Sequence, residues 1–184
     1  MSKIIIGLVG PVASGKDVSK KYIEEHHGAS SYKFSTVLRD ILNRLYLPIT
    51  RENMQDLSLD LRNRFGSDIL AKVITADAKS DKGEIVIVDG VRRMDDIIHL
   101  SNLPEFKLIS VEADINLRYD RMKLRNENEG DANKTFAEFE NDCQKEAEQE
   151  IPIVVSHAAY HLDNSGTLEN LYAQIDKIIT EINK

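Results

Sequence analysis

Residues Lys3 to Val9, apolar from Ile4 on and rich in β-branched side chains, lead with no linker into Gly10-Pro11-Val12-Ala13-Ser14-Gly15-Lys16. No other feature of the chain restricts its folding so tightly. A short apolar run rich in β-branched residues fits a strand buried on both faces, the kind found in parallel sheets. The residues after Lys16 read as a helix to about His26. A glycine-bracketed loop between such a strand and such a helix is suited to cradling phosphate. Its backbone N–H groups turn inward, and the positive end of the helix dipole adds to them. The G-x-x-x-x-G-K spacing therefore makes Gly10, Val12, Ala13, Ser14, Gly15, Lys16, Asp17 and Val18 candidate nucleotide contacts, with Lys16 reaching the β- and γ-phosphates.

The position after Lys16, where this motif ordinarily carries a Ser or Thr that ligates Mg²⁺, is Asp17. Its carboxylate is a hard oxygen donor suited to Mg²⁺, directly or through water. It also reads simply as an acid placed favourably in a first helical turn.

Further strands are expected at Tyr32 to Phe34, Glu84 to Val88, Phe106 to Glu112 and Ala159 to Leu162. Helices are expected at Thr36–Tyr46, Arg51–Phe65, Asp68–Lys79, Asp95–Leu100, Asn116–Arg125, Phe136–Glu150 and Leu168–Ile182. Strands that alternate with helices imply parallel pairing with helical crossovers. The expected fold is α/β, a three-layer phosphate-loop fold with a parallel five-stranded sheet and a helical lid. With 184 residues the chain fits one domain. Within it, an acceptor-binding helical region spans about 35–80 and a lid spans about 118–150, with Asn126 to Glu150 as an acidic insertion.

Glu84 to Val88 ends in Asp89-Gly90, which places a carboxylate at the rim where α/β sheets bind ligands and organise Mg²⁺. A hydrolase of the AAA type would carry Glu in place of Gly90. No Asn-Lys-x-Asp base-reading motif exists, since Asn133-Lys134 is followed by Thr135-Phe136. Asp163-Asn164-Ser165-Gly166 falls too near the C-terminus to be a GTPase switch. Phosphoryl transfer to a small acceptor remains. All ten arginines lie between Arg39 and Arg125, and arginine grips phosphate bidentately. Arg118, Arg121 and Arg125 share one helix face at spacings of three and four. They read either as a phosphate-facing row or as partners of Asp114 and Glu129.

A net charge of −7 disfavours polyanion binding. No apolar run approaches the ~20 residues of a membrane span. A lone Cys143 and the lack of a cleavable apolar leader point to the cytoplasm. Phe136, Phe139 and Cys143 repeat as a helix's buried stripe. His157 and His161 are not expected to hold a metal, because a strand follows the first of them.

These residues resemble the small-molecule phosphate-loop kinases: nucleoside monophosphate kinases, dephospho-CoA kinases and phosphomevalonate kinases. Asp89-Gly90-Val91-Arg92 is similar to the Asp-Gly-Phe-Pro-Arg of adenylate kinases with one residue fewer. The Gly-Lys-Asp ending resembles phage-type deoxynucleoside monophosphate kinases and animal phosphomevalonate kinases, and Arg92 to Ile97 resembles the latter. The resemblance implies ATP and Mg²⁺ as cofactors, with Asp17 and Asp89 toward the metal. Lys16, Asp89, Arg92, Arg118, Arg121 and Arg125 would be catalytic. Ser35, Arg39, Arg62 and Arg92 would hold the acceptor, and Asn164 and Gly166 would lie in the loop that cups the adenine. The implied partners are ATP and a phosphorylated small molecule, without nucleic acid or membrane, in a monomer or homodimer.

A phosphorylated acceptor is already anionic near neutral pH and needs no general base, whereas a sugar hydroxyl does. Dephospho-CoA kinases resemble one another in an Asp just after the second strand, where this chain has Phe34-Ser35-Thr36. The expected acceptor is thus a phosphate, most simply a (deoxy)nucleoside monophosphate. Dephospho-CoA, with Asp17 as base, and a slowly hydrolysing nucleotide-binding regulator are the alternatives.

Overall fold

The computed structural model describes residues 3–125 and 131–184. Its centre is a parallel sheet of five strands: β1 (Ile4–Val9), β2 (Ser30–Lys33), β3 (Ile85–Val91), β4 (Phe106–Glu112) and β5 (Tyr160–Asp163). Their order is β2-β3-β1-β4-β5, so β1 lies in the middle and its C-terminal end opens at the centre of the edge. The expected α/β fold with a parallel five-stranded sheet is what the chain forms.

Period-two alternation distributes the strand residues between two cores. Ile5, Val9, Val86, Val88 and Leu108 face one side and pack with α2 (Phe34–Arg44), α4 (Ile69–Ser80), α5 (Met94–Ile97) and α9 (Ile151–Val155). Ile4, Ile6, Leu8, Ile87, Ile109, Val111 and Leu162 face the other side, under α1 (Lys16–His27) and α10 (Leu168–Ile182). Residues buried on alternating faces explain why β1 and β3 read as continuous apolar runs.

The boundaries follow local chemistry. Thr50 caps α3 (Arg51–Phe65) by accepting from the Asn53 N–H at 3.1 Å, and Thr167 does the same for α10 through Asn170. The expected single helix from Phe136 to Glu150 is instead two, α7 (Phe136–Cys143) and α8 (Glu146–Gln149), and α9 follows them. Thr135 and Glu138 form a capping box that starts α7. Lys145, extended at φ −67° and ψ 153°, separates α7 from α8, and Pro152 sits in the first turn of α9. The buried stripe is present, with Phe139 in a small core beside α6 (Ile115–Arg125), Ala13 and Met122, and Phe136 and Cys143 at its margin. Part of the expected lid, including Glu129 and Gly130, lies outside the described residues.

Two devices turn the chain at the functional edge. Gly90 is the extra residue of a bulge, since Leu8 pairs with Asp89 and Val9 with Val91. At φ +88° it takes a conformation that favours glycine. Past the bulge, the buried Asp96 carboxylate accepts the N–H groups of both Arg92 and Arg93 at 3.0 Å, and its other oxygen lies 3.5 Å from the Arg62 guanidinium. Asp96→Ala strands two backbone donors and a cation. It is expected to lower the urea-unfolding free energy by about 2–4 kcal/mol.

Candidate active site

The loop after β1 is shaped by two close approaches. A Cβ on Gly10 (φ +156°) would stand 2.1 Å from the Val111 carbonyl oxygen, and one on Gly15 (φ +108°) 2.0 Å from Asn164 Nδ2. Neither position tolerates a side chain. The loop's carbonyls are tied from outside it. Asn164 Nδ2 donates to the Ser14 oxygen (2.8 Å), and Arg118 Nη1 donates to the Val12 oxygen (3.2 Å). Lys16 Nζ donates to the Gly10 and Pro11 oxygens at 2.6 and 2.8 Å. The Lys16 ammonium is thus folded back onto its own loop. Burial lowers its pKa from 10.5 to about 8; the charges of Glu148, Asp89 and Asp17 oppose that shift, and Arg92 reinforces it.

The three arginines of α6 do lie along one side, and each touches a different part of the loop's surroundings. Arg118 is buried, with its guanidinium 5.7 Å from the Phe139 ring centre. It supports the loop from beneath instead of facing a phosphate in an open row with the others. Arg121 Nη2 donates to the Asn164 carbonyl (2.8 Å), and Arg125 lies 3.6 Å from Asp17. Asn164 and Gly166, which the resemblance puts in a loop that cups adenine through backbone atoms, stand between β5 and α10, and the buried Asn164 side chain holds the Ser14 oxygen. Val18 is exposed on α1.

Toward the acceptor side, Arg92 is 55% exposed and lies 3.8 Å from Glu148 of α8. Ser35 sits half-buried in the first turn of α2, and Arg39 is exposed one turn later. Arg62 differs from expectation. It is bound to Asp96, to the Ser67 carbonyl (2.7 Å) and to Ser58 Oγ, which makes it a tie between α3 and the β3–α5 turn.

The two expected metal ligands do not fit a metal. Asp89, buried at the end of β3, has Oδ2 2.9 Å from Lys33 Nζ and 3.5 Å from Lys20 Nζ; Asp17 lies 3.7 Å from Lys33. Both carboxylates are met by the chain's own cations. Among the described residues no group of three or more His, Cys, Asp and Glu is placed to hold a metal ion.

Glu148, Lys33 and Lys20 are the site residues that sequence reasoning missed. Glu148 is one acid among many in its stretch, and no spacing marks it. Lys33 is exposed as a site residue only by the strand register, which pairs it with Asp89. Among the described residues, buried side-chain polar atoms of Ser14, Ser19, Arg118, Arg121, Glu148 and Asn164 around the loop lack a partner, whereas Asp89 Oδ2 is met by Lys33. Orphaned groups concentrated in this way mark a place that binds polar ligand atoms.

No protein-family model matches the chain. It is 28% identical to a UPF0200 protein of Thermococcus kodakarensis, covering 97% of this chain and 98% of the relative. It is also 28% identical to one of Hyperthermus butylicus, covering 98% and 95%. Among solved structures it resembles shikimate kinase from Bacteroides thetaiotaomicron, with TM-score 0.65 at 11% identity over 98% of this chain and 99% of that one. Shikimate kinase from Acinetobacter baumannii in complex with shikimate gives 0.56 at 14% identity, covering 98% and 93%. The fold is therefore that of the shikimate kinase-like phosphate-loop proteins.

Because burial holds Lys16 near pKa 8, affinity for ATP is expected to be flat below about pH 7 and about tenfold weaker by about pH 9, as the ammonium deprotonates. Calorimetric titration across that range checks this, and Lys16→Met removes the dependence. The stability sign is opposite: the unfolded chain retains the proton up to 10.5, so stability from this group rises between about pH 8 and that value.

Proposed function

We propose that the protein is an ATP-dependent phosphotransferase that moves the γ-phosphate onto a small phosphorylated acceptor, in the simplest case a (deoxy)nucleoside monophosphate. The observation that carries this reading is the convergence on one loop of backbone turned through positive φ at Gly10, Ala13 and Gly15, a retracted Lys16, and the orphaned buried groups of Arg121 and its neighbours. In this reading Lys16 leaves the loop carbonyls for the donor's phosphates. Arg121 and Arg125 approach from α6, and Arg92, with Ser35 and Arg39, receives the acceptor's phosphate. Asn164 and Arg118 keep the loop in its phosphate-binding shape. The likeness to shikimate kinases supports the fold of a kinase and leaves the acceptor to be named by experiment. Kinases of this kind use a divalent ion that travels on the nucleotide's own phosphates. The region about 118–150 acts as lid, closing over the transferring group to exclude water.

One observation favours a second reading, with a hydroxyl acceptor such as dephospho-CoA or a polyol acid like shikimate. Glu148 places a carboxylate beside Lys16 and Arg92, with Oε2 buried and without a hydrogen-bond partner. A carboxylate there repels a second phosphate and suits proton removal from a hydroxyl.

An acceptor screen decides between them. ADP release is followed with ATP and each nucleoside monophosphate, phosphomevalonate, dephospho-CoA and shikimate, with Lys16→Ala as the blank. Turnover with one monophosphate, reduced at least about a hundredfold in the variant, is the expected result. With a phosphate acceptor, Glu148→Gln is expected to leave kcat unchanged or higher. With a hydroxyl acceptor it lowers kcat about a hundredfold. ATP binding with no turnover across the panel moves the reading to a regulatory nucleotide-binding protein.

A further inference from the structure

The two acids that flank the cation position of a phosphate-loop enzyme are here joined by a lysine. Lys33 is the last residue of β2, and parallel pairing sets it directly beside Asp89 of β3. Its ammonium stands 2.9 Å from Asp89 Oδ2 and 3.7 Å from Asp17 Oδ1. Lys20, one turn along α1 from Lys16, reaches the same Asp89 oxygen at 3.5 Å, and Arg125 reaches the other oxygen of Asp17 at 3.6 Å. Charges therefore alternate along the rim: Lys20, Asp89, Lys33, Asp17, Arg125. The arrangement is built in, since the strand register fixes Lys33 and the bulge at Gly90 fixes the end of β3.

A divalent ion placed between Asp17 and Asp89 would have to displace an ammonium or sit against it, and like charges at such range repel strongly. We propose that Lys33 is itself the cation of this position: Asp89 and Asp17 hold it toward the donor's phosphates, so Lys33 binds nucleoside triphosphate directly and these carboxylates ligate no metal. The Lys33 ammonium is met by two carboxylates, Asp89 and Asp17, which hold it at the rim between β2 and α1. Lys33 carries three donors and sits 40% exposed, able to keep Asp89 while offering a proton to a phosphate oxygen. The proposal rests on the reading of the loop as a nucleoside-triphosphate site.

The test is ATP affinity by calorimetry, with excess Mg²⁺ and with EDTA, for the wild type, Lys33→Met, Lys33→Arg and Asp89→Asn, each checked for native far-UV dichroism. In the wild type, removing Mg²⁺ is expected to weaken binding by less than about threefold. Lys33→Met weakens metal-free binding by about tenfold and makes affinity Mg²⁺-dependent, while Lys33→Arg restores most of it, as expected when one phosphate-bound charge is lost. Asp89→Asn weakens binding by the same factor with and without metal. The proposal is overturned if wild-type affinity collapses in EDTA, or if Lys33→Met leaves metal-free binding intact. It is also overturned if Asp89→Asn weakens only the Mg²⁺-dependent component; in each of these cases the nucleotide site itself stands. Absence of ATP binding by the wild type under both conditions overturns the nucleotide reading together with this one. The wild-type comparison holds even if a variant fails to fold.

Discussion

A loop that turns its N–H groups inward must leave its carbonyls outward, and in a buried setting each of those needs a donor. Here the donors come from three separate parts of the chain. Arg118 of α6 takes the Val12 oxygen, Asn164 after β5 takes that of Ser14, and Lys16 takes those of Gly10 and Pro11. Two of the three are contacts from distant elements, and the third is the loop's own ammonium. On the proposed reading a phosphate recruits that ammonium, and binding exchanges two lysine hydrogen bonds for charge-assisted ones, which are the stronger kind. The same exchange would set the desolvation of a buried lysine against ligand binding and not against folding alone.

The fold was legible because its strongest signals are local. A continuous apolar strand, a glycine-bracketed loop and a following helix need only nearest-neighbour chemistry, and β1, β3 and β4 emerged close to their expected bounds. The stretch expected as a lid was less legible. From Phe136 to Glu150 the polar and apolar residues suit one helix, and nothing in their pattern marks the extended Lys145 that divides it in two. Site residues divided in the same way. Lys16 belongs to a motif of fixed spacing and could be named in advance. Arg62, assigned to the acceptor through the family resemblance, is engaged by Asp96, a contact that depends on how α5 packs against α3.

Lys33, Lys20 and Glu148 were invisible for a related reason. Each gains its meaning from a partner across the sheet or across the cleft, and none carries a sequence spacing of its own. The pairing of Lys33 with Asp89 is a matter of parallel register, and a slip by one residue would turn Lys33 to the opposite face. The chain's overall acidity hides the site further. Although the net charge is −7, Lys16, Lys20, Lys33, Arg92, Arg121 and Arg125 gather at one edge of the sheet. Local positive potential can thus attract a nucleotide while the rest of the surface repels a polyanion.

That local field also frames the conflict posed by Glu148. Six cations at one rim require anions, and Asp89 and Asp17 are already shared among Lys20, Lys33 and Arg125. Lys16 and Arg92 are left with Glu148, whose charge is the largest of those that favour the Lys16 ammonium against its burial. A phosphate that binds both cations does the same electrostatic work with more charge and more acceptor oxygens. On the proposed reading a nucleotide competes with Glu148 unless the carboxylate has its own task toward the acceptor. The buried, unpartnered Oε2 sits more comfortably with such a task than with simple counter-charge, because a counter-ion would turn both oxygens to its donors. On the proposed phosphotransferase reading, the identity of the acceptor and the position of α8 are consequently one question: the group that satisfies Oε2 sets what is phosphorylated.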